Sequence, residues 1–220
     1  MKTIEHVCLK GKKVLIRVDF NVPINENLEI ADDTRMVSAL PTIQKVVSDG
    51  GKAIVISHLG RPKNGYEEKF SLKHTVNHLS ALLGKRVGFS NDCIGKNNHE
   101  LISKMNYGDV IILENLRFYD EEKHGDENFS KKLAGLADVY INDAFGTAHR
   151  AHASTAIIAK FFPKNKYFGF LISEEIKALK RALKKCKKPF TAIIGGSKIT
   201  GKIDVIKNLY KKVDNLIIGG

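Results

Sequence analysis

The chain has 220 residues, 43% of them hydrophobic and 27% charged, with a formal net charge of +12; that is enough for one large domain or one and a half ordinary ones. No apolar run approaches the length of a bilayer-spanning helix, and the opening MKTIEHVCLK carries Glu5 and His6 where a secretory signal needs an apolar core. The three cysteines, Cys8, Cys93 and Cys186, form neither a C-x-x-C pair nor a disulfide framework, so the expected compartment is a reducing cytoplasm.

Short apolar runs alternate with helical patterns, the signature of βαβ units and a doubly wound parallel sheet. The first strand is predicted over 14–20 (VLIRVDF). A helix follows over 35–48, behind the cap candidates Asp33 and Thr34, and Pro41 is expected to start or kink a second segment. Strands at 52–58 and 86–90 flank a helix at 71–83. Strands follow at 109–115, 139–145 and 167–172, with helices at 128–136 and 151–161. The stretch 173–188 (SEEIKALKRALKKCKK) begins with Ser173 and two glutamates, ends in lysines and precedes Pro189. Both ends suit the helix dipole, so it is predicted as a basic amphipathic helix linking two domains. A strand at 190–196, a helix at 201–212 and a strand at 215–220 close the chain. Several strands are apolar on both faces, as expected for a sheet covered by helices on both sides.

The charge is uneven. Residues 160–220 hold 15 Lys and Arg against 4 Asp and Glu, so nearly all of the excess lies there. Solvated lysine faces on helices are the first expectation, and an acidic partner segment absent from this chain is another. No basic stripe interleaved with aromatics supports a nucleic-acid surface.

Ligands of open α/β sheets bind beyond the carboxyl ends of the strands, which directs attention to the residues that follow each strand. These are Asp19 and Asn21, then Arg35 at a helix start, His58 and Arg61, Arg117, and finally Asp143, His149, Arg150 and His152. Four of the seven arginines, Arg35, Arg61, Arg117 and Arg150, fall at this one edge. Their planar forks suit phosphate and carboxylate, so together with a histidine they predict a site for a small, multiply charged anion. The competing expectation is that each arginine pairs with an acid such as Asp19, Asp32, Glu114 or Asp143. His149 and His152, three apart, are a weak metal signal without a third ligand, and Asp143 reads either as a base or as an arginine partner. In GGSKITGKI, Gly196–Lys202 has Walker-like spacing, but Ile203 stands where a Ser or Thr would hold Mg²⁺. Phosphate binding by Lys198 and Lys202 at a helix start remains as a reading.

The motifs RVDFNVP, ADDTR, SHLGRP, ENLRF, NDAFGTAHRAHAS and GGSKITGKI, in this order and spacing, resemble those of phosphoglycerate kinases. The resemblance implies two α/β lobes joined by a helix: a phosphoglycerate-binding domain at 1–172, a linker helix at 173–188 and the start of a nucleotide-binding domain at 189–220. It implies that Asp19 and Asn21 bind the glycerate end and that His58, Arg61, Arg117 and Arg150 bind the non-transferred phosphate of 3-phosphoglycerate or 1,3-bisphosphoglycerate. Arg35 would reach the acyl phosphate end and the phosphoryl group in flight, and Lys198 would stabilise that group. Lys202 would contact the phosphates of ADP or ATP, used with Mg²⁺. It further implies a monomer at full length, with no membrane or nucleic-acid partner. Gly201 departs from the family's usual polar or acidic residue. The final LIIGG is expected to be the second strand of a lobe this chain does not complete. The alternative is a phosphoglycerate-binding lobe without catalysis, and the 220-residue chain alone is expected to be inactive.

Overall fold

The computed structural model describes residues 2–63, 65–184, 188–196 and 203–219, without the side chains of 182–184. Four Val- and Ile-rich runs become strands because β-branched side chains pack well on a pleated surface, and VGFS and KYF add one edge strand on either side. They are β1 (Lys13–Arg17), β2 (Lys52–Ile56), β3 (Val87–Ser90), β4 (Val110–Leu113), β5 (Val139–Asn142) and β6 (Lys166–Phe168). All pair in parallel, in the order β3-β4-β2-β1-β5-β6. The intervening helices are α1 (Thr34–Ser48), α2 (Val76–Leu83), α3 (Lys96–Ser103), α4 (Asp120–His124) and α5 (Glu127–Ala134).

Side-chain alternation sorts the apolar residues into two cores. On one face Val14, Ile16, Val55, Ile112 and Ile141 pack with Met36, Ile43 and Val46 of α1. On the other, Leu15, Ile54, Ile111 and Leu113 pack with Phe129 and Leu133 of α5. At the β6 edge, Ile4 N donates to Phe168 O (3.2 Å) and Phe168 N to Lys2 O (2.9 Å), which adds a short rung.

The chain divides into two compact units, Met1–Ser173 and Glu174–Gly220, and the division falls within helix α6 (Phe170–Lys184). In the second unit β7 (Thr191–Ile194) and β8 (Asn215–Ile218) form a two-stranded parallel sheet, and helix α7 (Ile203–Tyr210) lies between them in sequence. Asp214 ties the strand starts together: its Oδ2 accepts from Phe190 N (2.8 Å) and its Oδ1 meets Lys188 Nζ (3.2 Å).

Several expectations change. The strand predicted at 86–90 ends at Ser90 as expected, but the others stop short of their predicted ends, because residues such as Phe20, Ser57 and His58 leave the ladder for the loops that carry the charged groups. Helix α1 runs unbroken through Pro41. The proline faces solvent with the exposed Val37, where water can satisfy the carbonyl that its missing N–H leaves free. Asp33 makes no cap bond; Asp32 Oδ1 accepts from Thr34 N instead (2.8 Å). The predicted strand 167–172 ends at Phe168, and α6 begins at Phe170 rather than Ser173. The Ser173 hydroxyl donates back to Gly169 O (2.7 Å), while Asp143 Oδ1 and Thr42 Oγ1 accept from Ile172 N (3.1 Å) and Phe170 N (2.9 Å). Gly169 is required there, since a Cβ would lie 2.3 Å from Asp143 Cγ.

The helix predicted at 151–161 is a run of turns followed by a 3-10 segment, Ile157–Phe161. Its carbonyls are already used: Tyr140 Oη donates to Ser154 O (2.6 Å) and Asn142 Nδ2 to Thr155 O (3.3 Å). The short polar helices α3 and α4 were not foreseen.

Candidate anion-binding site

The site grows from the ends of β1, β2 and β4 and from the loop after β5. Past β1, Asp19 Oδ2 pairs with Arg35 Nη1 at 2.6 Å. Arg35, at the start of α1, keeps half its side chain in water, so this pair contributes only about 0–1 kcal/mol and leaves the arginine free to re-aim. Asn21 Oδ1 accepts from Gly60 N (2.8 Å), which ties the first loop to the second. Gly60 has φ +62°, and a Cβ there would meet the Phe70 ring at 2.3 Å, so only glycine fits. Its carbonyl accepts from Arg117 Nη1 (2.7 Å). Asn115 holds the same loops, accepting from Leu59 N (3.2 Å) and Arg117 N (2.9 Å) and donating to Leu59 O (2.7 Å). The loops are thus fixed before any ligand arrives.

Arg61, Arg117 and Arg150 line a cavity of about 350 Å³ with Lys63, Lys123 and His152. Among the described residues, the guanidinium groups of Arg61 and Arg150 have neither an ion-pair nor a hydrogen-bond partner. Of the four acids expected as arginine partners, only Asp19 forms an ion pair with an arginine among the described residues. Glu114 is spent on Ser71 Oγ (2.7 Å) and Leu72 N (2.8 Å), Asp32 on Thr34, and Asp143 on the start of α6. Burial raises the Asp143 pKa, and Oδ2 of this residue is the only buried side-chain polar atom without a partner among the described residues.

His58 is buried at the centre. Burial first, then Arg17, Arg117, Arg150 and Arg35, push its pKa far below the usual imidazole range. Its ring is therefore neutral, although Asp19 Oδ1 lies 3.9 Å from Nδ1. Arg117 is held below its ordinary value by burial and then by Arg150, Arg17 and Arg61. These mutual repulsions measure how tightly the cations are gathered, and a bound polyanion would relieve them. His152 is likewise lowered, by burial and then Arg117 and Arg150. No group of three or more His, Cys, Asp or Glu among the described residues could hold a metal ion.

The structure thus brings Asp19, Asn21, Arg35, His58, Arg61, Arg117 and Arg150 to one edge of the six-stranded sheet. Lys198 and Lys202 lie outside the described residues. Arg17 escaped the sequence reading: it sits inside an apolar strand run, is 1% exposed, and donates to Ser154 Oγ (3.0 Å), His58 Nδ1 (3.1 Å) and Val18 O. A lone charge within VLIRV was the signal for it, because a buried arginine must have partners.

These features define a doubly wound α/β protein with a preformed cationic crevice at the carboxyl edge of its parallel sheet. Residues 4–220 match the family model described as phosphoglycerate kinase. The chain is 50% identical to the phosphoglycerate kinase of Porphyromonas gingivalis, aligned over 99% of this chain and 58% of that one. It is 53% identical to that of Dictyoglomus turgidum, over 96% and 52%. Among solved structures, phosphoglycerate kinase from Coxiella burnetii matches at 40% identity with a TM-score of 0.85, over 99% of this chain and 54% of that one. The crystal structure from Pyrococcus horikoshii matches at 33% with 0.88, over 100% and 55%. The chain belongs to the phosphoglycerate kinase family, and it spans about half the length of the curated relatives it matches.

Proposed function

We propose that the chain serves phosphoglycerate kinase activity, the reversible transfer of a phosphoryl group between 1,3-bisphosphoglycerate and ADP that yields 3-phosphoglycerate and ATP. The observation that carries this is the pair of guanidinium groups, Arg61 and Arg150, unpartnered among the described residues and set beside Arg117 in a cavity large enough to admit a phosphate. In this reading they hold the non-transferred phosphate. Neutral His58 serves as a hydrogen-bond donor and not as a proton source. Asp19 and Asn21 orient the glycerate, and Arg35 moves from Asp19 toward the acyl phosphate. Phosphoryl transfer asks for positioning and charge neutralisation more than for acid–base groups, which fits a site rich in fixed donors. Lys198 and Lys202 would serve the phosphoryl group in flight and the nucleotide phosphates. Mg²⁺ would arrive with the nucleotide; the described residues offer no cluster to hold it, so no step here is routed through it. Residues 1–172, 173–188 and 189–220 would be the phosphoglycerate domain, the linker helix and the start of the nucleotide domain, working in the cytoplasm as a monomer.

Calorimetric titration tests the substrate assignment. 3-Phosphoglycerate should bind, and glycerate without its phosphate should bind at least about 100-fold more weakly, because two or more charge-assisted contacts are lost. Equal affinities would overturn it. A coupled assay for ATP formation tests the reaction. For a polypeptide of residues 1–220 assayed alone, we expect binding of 3-phosphoglycerate without turnover.

A further inference from the structure

Behind the arginine cavity runs a buried polar chain that the proposed chemistry does not use. Glu122, on α4, is 1% exposed. Its Oε1 accepts from the Ser154 hydroxyl at 2.6 Å and its Oε2 from Ser154 N at 2.9 Å. Ser154 Oγ in turn accepts from Arg17 Nε at 3.0 Å, and Arg17 Nη2 lies 3.1 Å from His58 Nδ1. A guanidinium can only donate, so Nδ1 must be the acceptor, and a neutral ring then carries its proton on Nε2. Among the described residues His58 Nε2 has no hydrogen-bond partner and is not among the sealed, unsatisfied atoms, which leaves it available to a ligand.

We propose that Glu122, acting through Ser154 and Arg17, is a positioning residue that fixes His58 as its Nε2–H tautomer, the form able to donate to a bound phosphate. The proposal rests on the phosphate reading of the adjoining cavity for its ligand, but not for its geometry. Two features favour positioning over simple fold support. The chain is continuous, and beyond it Arg17 is held only by the Val18 carbonyl, so losing the Ser154 link leaves the guanidinium pivoting on one bond and loosens its aim at His58. The Glu122 side chain also reaches the loop that carries Arg150, since its Oε2 accepts from Ser154 N at 2.9 Å. The attraction between Glu122 and Arg17 supplies the counter-charge that keeps a buried guanidinium in register. Oε1 of Glu122 also lies 3.9 Å from His152 Nδ1, but at that distance it makes no hydrogen bond.

A charge-only role for Glu122 makes the opposite forecast. Removing a carboxylate from beneath a cationic site raises its positive potential and should strengthen anion binding. Positioning predicts weaker binding despite the added positive potential.

The test combines proton–nitrogen NMR of the His58 ring with 3-phosphoglycerate titration, on the full chain and on its Glu122→Gln and Ser154→Ala variants. Ser154→Ala keeps the Ser154 N to Glu122 bond and tests the relay even where Glu122→Gln does not fold. In the unsubstituted chain Nδ1 should be bare and Nε2 protonated. In folded variants the ring should shift toward mixed tautomers, and 3-phosphoglycerate should bind about 3–10-fold more weakly, as for one lost hydrogen bond. An unchanged tautomer in a folded variant, a protonated Nδ1 in the unsubstituted chain, or tighter binding in Glu122→Gln would overturn the proposal. The tautomer measurement needs no ligand, so a chain that does not bind 3-phosphoglycerate would count against the substrate and leave this arm decisive.

Discussion

Strands β1 (KVLIR) and β8 (NLII) are both short, apolar and paired in parallel. Leu15 and Ile16 are nevertheless fully buried, whereas Ile217 and Ile218 are 51% and 63% exposed. The difference lies in their neighbours. Strand β1 has β2 on one side, β5 on the other and a core on each face. The β7–β8 pair has one partner per strand, and Ile193, Val205 and Tyr210 of the same unit are also open to water. Burial is therefore a property of assembled layers rather than of strand composition. The anion crevice stands wholly on the assembled part.

Amide exchange offers the widest test of this contrast. In a polypeptide of residues 1–220, protection in β1, β2 and β5 should reach that of global unfolding, with exchange at least about 1,000-fold slower than in β7 and β8. Equal protection in a verified monomer would break the comparison. Core truncation comes next: Ile16→Ala should destabilise by about 2–5 kcal/mol in denaturant titration, against roughly 0.5 kcal/mol or less for Ile217→Ala. Function should divide in the same way. Arg61→Ala should weaken 3-phosphoglycerate binding by about 10–100-fold in calorimetry, while Ile217→Ala should leave it unchanged.

The smallest expected effect is on acid stability. The His58 pKa is depressed in the folded state, so below the unfolded value of 6.5 the unfolded chain binds a proton that the folded chain refuses. Stability from this group is therefore full above pH 6.5 and falls as the pH drops, by up to about 1.4 kcal/mol per pH unit. Folded-state pKa values of Glu122 and Asp143 are raised by burial, so their contribution runs the other way. The His58 part is isolated as the difference from His58→Gln, whose stability should be flatter between pH 6.5 and 5. Parallel curves would show that His58 is not sealed among the arginines.

The same contrast explains what could be read in the sequence. Strand cores were legible because Val and Ile runs mark sheets buried on both faces, but their carboxyl ends were not, because apolar residues such as Val18 and Phe20 continue past the end of the strand. The crevice arginines stood out as rare residues at recurring positions after strands. Arg17 was hidden inside a strand, and Glu122 lay among the exposed acids of a five-residue helix that has no periodicity to detect. The 151–161 segment has helix-compatible composition, but distant side chains claim its carbonyls, and no local pattern reports that. Asp143 looked like a partner for arginine because sequence order cannot show that α6 starts against it.

The rung formed by Lys2–Ile4 on β6 has a consequence for handling the protein. A bare edge strand is a template on which a second molecule can add its own strand, and here the first few residues of the chain occupy that template. An amino-terminal tag or a trimmed start would act on the guard of the sheet's edge, and its cost would show as self-association before any loss of fold.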